Sequence, residues 1–172
     1  MSFTEADDST IFTPATPPES VAGGFYDDDK YTTKSTPTPL PGHTYMIRSL
    51  ASGEVITLKD GNIVLAQPDG RASHWVCEDE GGWLGFRNGV SGRFLGRDGD
   101  WNLSCFATWH KEWEMFRVCA RTPRGSVLFI QSWYWFKLIL RPVGMKVENE
   151  TRKLAMIENG EPDEALWEFV EV

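Results

Sequence analysis

The hydrophobic positions of the chain fall in short runs separated by clusters of Gly, Asp and other turn residues. No stretch from residue 45 onward keeps the 3.6-residue spacing of an amphipathic helix, whereas short apolar runs between turn signals are typical of β-strands. The pattern therefore predicts an all-β domain. Its predicted strands are 44–48, 55–58, 63–66, 75–78, 83–87, 94–96, 103–107, 113–118, 127–131, 135–140, 146–148, 154–157 and 166–170.

A repeat relates the first two thirds of this domain. Four identities recur at one offset of 38 residues: Asp60 and Gly61 with Asp98 and Gly99, Leu65 with Leu103, and Trp75 with Trp113. A third copy ends at Leu166-Trp167-Glu168-Phe169 and carries about 16 more residues, which we place around 143–152. Three units of four strands predict a β-trefoil, which is a closed barrel capped by hairpins.

Two classes of residue receive structural roles from the repeat. Asp-Gly pairs supply the positive φ of tight turns, so both copies are interpreted as hairpin turns. Trp75, Trp113 and Trp167 occupy equivalent positions near the end of each repeat, and we expect all three rings to fill the core.

The first 41 residues differ in composition from the rest. Thr, Ser, Pro and Asp dominate this segment, and its prolines interrupt regular structure, so we predict a disordered acidic tail at 1–41 and a trefoil at 42–172. The tail carries a net charge of -5 out of the formal -8 of the whole chain. An acidic balance argues against a nucleic-acid partner. The start lacks a secretory signal and no run reaches the roughly 20 apolar residues of a membrane span, so we expect a cytoplasmic protein without a membrane partner.

Cysteine and histidine give little indication of a metal or a cofactor. Cys77, Cys105 and Cys119 are odd in number and lack Cys-x-x-Cys spacing, which favours reduced thiols packed in the core. The three His residues lie at unrelated phases of the repeat without a spacing typical of metal ligands. We therefore predict no metal site and no cofactor.

Two aromatic clusters are the candidate binding residues. Trp133, Tyr134 and Trp135 precede Phe136, and alternation along a strand would turn about half of these rings away from the core. Exposed rings of this kind stack on a sugar or on a flat hydrophobic ligand. Trp109 and His110, followed by Lys111, offer a ring, a proton carrier and a cation in one loop.

The second repeat also resembles a known family. Residues 92–99 (Gly-Arg-Phe-Leu-Gly-Arg-Asp-Gly), followed by Leu-Ser-Cys-Phe-Ala at 103–107 and by Trp113, resemble the repeat of fascin-like trefoil domains. The resemblance covers about residues 43–172 and is clearest over 82–118. It implies a β-trefoil fold and crosslinking of actin filaments. Fascins join four trefoils and bind through basic patches, whereas this chain has one trefoil and an acidic balance. Ricin-type lectins share the fold and carry a Gln-x-Trp triplet near the end of each repeat, and here that triplet occurs once, at 131–133.

Three functional hypotheses follow. The favoured one is a non-catalytic binding module for a protein such as actin, for a carbohydrate or for a hydrophobic small molecule, because no Gly-x-Ser-x-Gly elbow or other catalytic signature is present. The alternative is a small-molecule enzyme of the isomerase, cyclase or lyase type, in which His110 moves a proton in an apolar pocket. A third is an adaptor whose tail folds onto a partner. The oligomeric state is left open.

Overall fold

The computed structural model describes residues 33–158 and 165–172, and β-strands dominate them. The thirteen strands of these residues are β1 (Ser35–Thr36), β2 (Thr44–Ser49), β3 (Val55–Lys59), β4 (Asn62–Ala66), β5 (Trp75–Glu80), β6 (Trp83–Asn88), β7 (Phe94–Arg97), β8 (Leu103–Ala107), β9 (Phe116–Ala120), β10 (Ser126–Tyr134), β11 (Lys137–Glu148), β12 (Thr151–Met156) and β13 (Trp167–Glu171). Two short 3₁₀ helices occupy Gly70–Ser73 and Glu112–Glu114. Within the described ranges, no helix has the length and apolar character needed to cross a membrane.

Six of the strands close into a barrel. They pair in the order β2-β5-β6-β9-β10-β13, and β13 pairs back onto β2, so that no barrel edge is left open. The hairpins β3–β4, β7–β8 and β11–β12 leave this barrel between its first and fourth strands in each repeat. Three repeats of barrel strand, hairpin and barrel strand make a β-trefoil, which confirms the predicted fold.

The core of the barrel is filled by aromatic and aliphatic side chains from all three repeats. The ring of Phe86 stacks on Phe169 at 5.9 Å and meets Phe116 edge-on at 5.5 Å, while Tyr45 contacts Phe169 edge-on at 6.0 Å. All four rings are buried. Burial of such rings is the main favourable contribution to folding, at about 1.5–3 kcal/mol for each large apolar side chain.

The predicted role of Trp113 is wrong, whereas Trp75 and Trp167 are fully buried as expected. Each of these two begins the fourth strand of its repeat, and its indole N–H donates to a carbonyl of the same repeat's hairpin. In the second repeat the strand begins at Phe116, which is fully buried. Trp113 lies in the 3₁₀ helix before that strand with 45% of its surface exposed.

A difference in loop length explains this error. The first hairpin turns through Asp60 and Gly61, both at positive φ, as the Asp-Gly signal predicts. The second hairpin turns through the longer loop 98–102, in which the Asp98 carboxylate accepts hydrogen bonds from the backbone N–H groups of Asp100 and Asn102. Equivalent positions of the two repeats are 39 residues apart before this loop, as Val55 and Phe94 show, and 41 apart after it, as Ala66 and Ala107 show. The 38-residue offset therefore does not align Trp75 with its structural equivalent.

The predicted position of the extra residues in the third repeat is also wrong. Residues around 143–152 form the ordinary hairpin of that repeat, with its turn at Asn149 and Glu150. A longer extension lies before it, where β10 and β11 continue as a two-stranded hairpin. We call residues 131–141 the aromatic hairpin.

Two further observations differ from the expectations. Ser35–Thr36 pairs with Phe169 and Val170 of β13, so residues upstream of the predicted boundary at 42 join the sheet, while residues 1–32 lie outside the described part. Cys77 and Cys105 are buried as predicted, but Cys119 is exposed on β9. Burial, with the neighbouring Asp79 and Glu78, raises the pKa of the Cys77 thiol to about 12.

Candidate functional site

The predicted residues Trp109 and His110 lie in a concave pocket of about 720 Å³ formed by the loop between β8 and β9. We call it the Trp109 pocket. The ring of Trp109 is 72% exposed and that of Phe106 is 61% exposed. The acidic residues Glu80 and Glu112 line the same concavity and are exposed to solvent. The pocket therefore combines open aromatic faces with hydrogen-bond acceptors, as small-ligand sites do.

His110 holds this loop against the barrel. Its ring stacks on Phe94 at 5.3 Å, and its Nε2 is buried without a hydrogen-bond partner. A Cβ placed on Gly85 would lie 2.9 Å from Nε2 and Cε1 of that ring, so the close approach depends on a glycine in β6. The buried Nε2 is packed against the barrel and is closed to a substrate, so a proton-transfer role for His110, as the enzyme alternative requires, would fall to Nδ1.

A second anchor lies at the other end of the loop. The Glu114 carboxylate accepts a hydrogen bond from the backbone N–H of Lys111 at 3.3 Å, which caps the 3₁₀ helix. Burial raises the pKa of Glu114 against the lowering effect of that bond and of the Arg97 charge. The loop is thereby tied down on both sides of Trp109.

Arg97 packs against the same loop through its guanidinium group. Its guanidinium lies between the rings of Trp101 and Trp113, at 4.4 and 4.5 Å from their centroids. Burial lowers the pKa of Arg97, although Glu114, Asp98 and Glu112 act in the opposite direction. Cation–π contacts of this kind contribute about 0.5–2 kcal/mol each, so the partly exposed Trp113 has a local packing role in place of the predicted core role.

The other predicted cluster lies on a separate surface, at the end of the aromatic hairpin. Trp133 and Tyr134 end β10, and Trp135 and Phe136 form the turn, with exposed fractions of 50, 59, 78 and 96% in that order. The prediction that half of these rings face solvent is an underestimate, because a turn exposes both faces. One backbone bond, from the Gln131 N–H to the Met115 carbonyl, joins the base of this hairpin to the Trp109 pocket.

Sequence reasoning missed four aromatic or acidic residues of the Trp109 pocket, namely Phe106, Glu80, Glu112 and Glu114. Phe106 follows the buried Cys105 on β8, and alternation places it on the opposite face of the strand. Glu80 comes from a different strand, and only the pairing of strands shows that it approaches the loop. Among the described residues, no group of three His, Cys, Asp or Glu side chains could hold a metal ion.

A larger cavity of about 1250 Å³ lies beneath the hairpins and is lined by residues of all three repeats. Its wall includes Ile63, Leu103 and Leu154, which belong to the hydrophobic core. It shares Phe106 with the Trp109 pocket but contains no exposed indole beside a carboxylate. The Trp109 pocket is therefore the better candidate for a polar ligand that also presents an apolar face.

Comparisons with known proteins support the fold. The sequence matches no protein-family model, and no curated protein is significantly similar to it. Among solved structures, a ricin B-like lectin from Macrolepiota procera in complex with lactose is similar at a TM-score of 0.60 and 16% identity, over 78% of this chain and 99% of that one. The Rhizoctonia solani agglutinin is similar at a TM-score of 0.54 and 17% identity, over 78% of this chain and 99% of that one. The designed threefold-symmetric protein ThreeFoil is similar at a TM-score of 0.58 and 13% identity, over 75% of this chain and 99% of that one. Together with the strand order, these likenesses establish that the chain has the β-trefoil fold.

Proposed function

We propose that this chain is a carbohydrate-binding β-trefoil module and that the sugar lies in the Trp109 pocket. The observation that carries the proposal is the exposed Trp109 indole in one concavity with the carboxylates of Glu80 and Glu112. A pyranose has an apolar face of C–H groups that packs on an aromatic ring and hydroxyl groups that donate to carboxylates. The lactose complex of the similar Macrolepiota lectin supports this ligand class.

The charges of the pocket favour neutral sugars. Three carboxyl groups line it, from Glu80, Glu112 and Glu114, against the single ammonium group of Lys111. An acidic sugar would place its carboxylate near like charges, which disfavours binding. We therefore expect neutral oligosaccharides to bind better than their sialylated counterparts.

A glycan array with three proteins tests the proposal. The parent chain should bind a set of neutral glycans, and Trp109→Ala should weaken that binding by at least about tenfold, because a stacked ring contributes on the order of 1.5–3 kcal/mol. Trp133→Ala, which removes an exposed indole outside the pocket, should bind as the parent does. A blank array, or equal binding by Trp109→Ala, would refute the proposal.

The fascin-like resemblance supports a second ligand, the actin filament, and with it a cytoplasmic location. The residues that carry this resemblance, 82–118, include both anchors of the Trp109 loop. Co-sedimentation with filaments tests the hypothesis directly. If the chain pellets only to the extent seen without filaments, the actin hypothesis is refuted.

A further inference from the structure

The aromatic hairpin carries six of the fifteen exposed large hydrophobic residues of the described chain. Its exposed rings are joined by Leu138 and Leu140, which are 45 and 37% exposed. Cross-strand pairing places Trp133 opposite Leu138 on one face and Tyr134 opposite Lys137 on the other. Both faces and the turn are thus open, whereas a flat protein partner would cover one face. A hairpin that is open on both faces is better suited to insertion into an apolar environment than to docking against a flat protein surface.

The turn itself is costly for the fold. Trp135 and Phe136 both have positive φ, at 46° and 65°, in a two-residue turn that ordinarily takes Asn-Gly. Bulky side chains rarely adopt this conformation, and such strain is retained where it serves a function. Fold stability alone therefore does not account for two large rings at this position.

The electrostatics point to an anionic partner. No acidic residue occurs between Glu114 and Glu148, while six Lys and Arg residues do, in a chain whose net charge is -8. Two of the six, Lys137 and Arg141, lie on the aromatic hairpin, and within the described residues neither forms an ion pair. Long basic side chains next to aromatic rings are typical of segments that enter the interface of an anionic membrane.

We propose that the aromatic hairpin inserts its tip into the surface of an anionic lipid bilayer. Its three outermost levels are the Trp133–Leu138 pair, the Tyr134–Lys137 pair and the turn. At about 3.3 Å for each level they span roughly 10 Å, which matches the depth that interfacial segments reach. Lys137 lies within these levels, and its long side chain extends back toward the lipid phosphates. Arg141, which pairs with Ile130 and lies roughly 13 Å further from the tip, approaches the headgroups from the water side. This binding is separate from the carbohydrate proposal and needs no sugar. It departs from the expectation of no membrane partner, which considered spanning segments and not interfacial ones.

Flotation with lipid vesicles tests this proposal. The parent chain should float with vesicles of phosphatidylcholine and phosphatidylserine and should bind pure phosphatidylcholine much more weakly. Trp135→Asn combined with Phe136→Gly should reduce binding by at least about tenfold. Because Asn-Gly suits this turn, that variant should melt at or above the temperature of the parent, so loss of binding is not loss of folding. Lys137→Glu combined with Arg141→Glu should weaken binding only to the anionic vesicles.

Trp109→Ala is the matched control, since it removes an exposed indole elsewhere and should float as the parent does. The proposal is overturned if the parent does not float, if neutral and anionic vesicles bind it equally, or if the Asn-Gly variant binds like the parent. It is also overturned if the parent binds no vesicles but forms a dimer in sedimentation that the Asn-Gly variant abolishes, because the occupant is then a second copy.

Discussion

Truncation of Phe116 tests the register of the second repeat. Phe116→Ala removes a fully buried ring that meets Phe86 edge-on at 5.5 Å. Such substitutions in a packed core cost about 3–5 kcal/mol, because the transfer free energy is lost and a cavity remains. Trp113→Ala removes a larger ring that is 45% exposed, so it loses about half the burial and one cation–π contact with Arg97. We expect that variant to cost about 1–2 kcal/mol.

Equilibrium unfolding in urea, followed by far-UV circular dichroism, measures both values without relying on tryptophan emission. The midpoint should fall much further for Phe116→Ala than for Trp113→Ala, with an unchanged slope showing that the unfolded states are comparable. In thermal melts the Phe116 variant should lose roughly 10 °C. If Trp113→Ala costs as much as Phe116→Ala or more, the register described here is wrong and the 38-residue alignment is right.

Three other predictions concern separate parts of the fold. Glu168 is buried, and although burial acts to raise its pKa, hydrogen bonds from Ser35 and an arginine of β2 lower it. The contribution of Glu168 to folding stability is therefore present above about pH 4.5 and is lost as the pH falls through its folded pKa. Glu168→Gln should cost about 1.5–3 kcal/mol at pH 7 and less in acid, as pH-dependent urea curves would show. Gly85→Ala should displace the His110 ring, costing about 1–3 kcal/mol and weakening glycan binding, and a variant as stable as the parent would contradict this. Iodoacetamide should modify one thiol of the native chain, at the exposed Cys119, and mass spectrometry finding Cys77 equally modified would contradict the described burial.

The strands could be predicted from the sequence because alternation and turn residues are local signals. Phe94–Arg97 and Leu103–Ala107 begin where the pattern places them, and the Asp60-Gly61 turn has the predicted positive φ. The register between repeats could not be predicted from the sequence, because matching Trp75 to Trp113 assumes hairpin loops of equal length. A loop that is stabilised by its own side chain, as Asp98 stabilises 98–102, gains residues without changing the strands around it.

The binding site shows a similar limit. Trp109 could be identified as a candidate because it lies beside His110 and Lys111 in one loop, but its partner Glu80 belongs to another strand and only strand pairing places it nearby. The role predicted for His110 followed from the proton chemistry of its ring. The position of that ring depends on the close approach to Gly85, and a glycine gives no sequence signal of such a contact. The four consecutive rings at 133–136 indicated exposure, and the turn that exposes all of them requires two unfavourable φ angles that local preferences argue against.

The most direct test of a sugar in the Trp109 pocket is NMR of the tryptophan indole N–H groups during titration with the neutral oligosaccharide that binds best on the array. The indole signals can be assigned by loss of one peak in Trp109→Ala and another in Trp133→Ala. A sugar in the Trp109 pocket shifts the Trp109 signal with saturation while that of Trp133 remains in place. A stationary Trp109 signal, with shifts at the aromatic hairpin, would contradict this placement of the sugar.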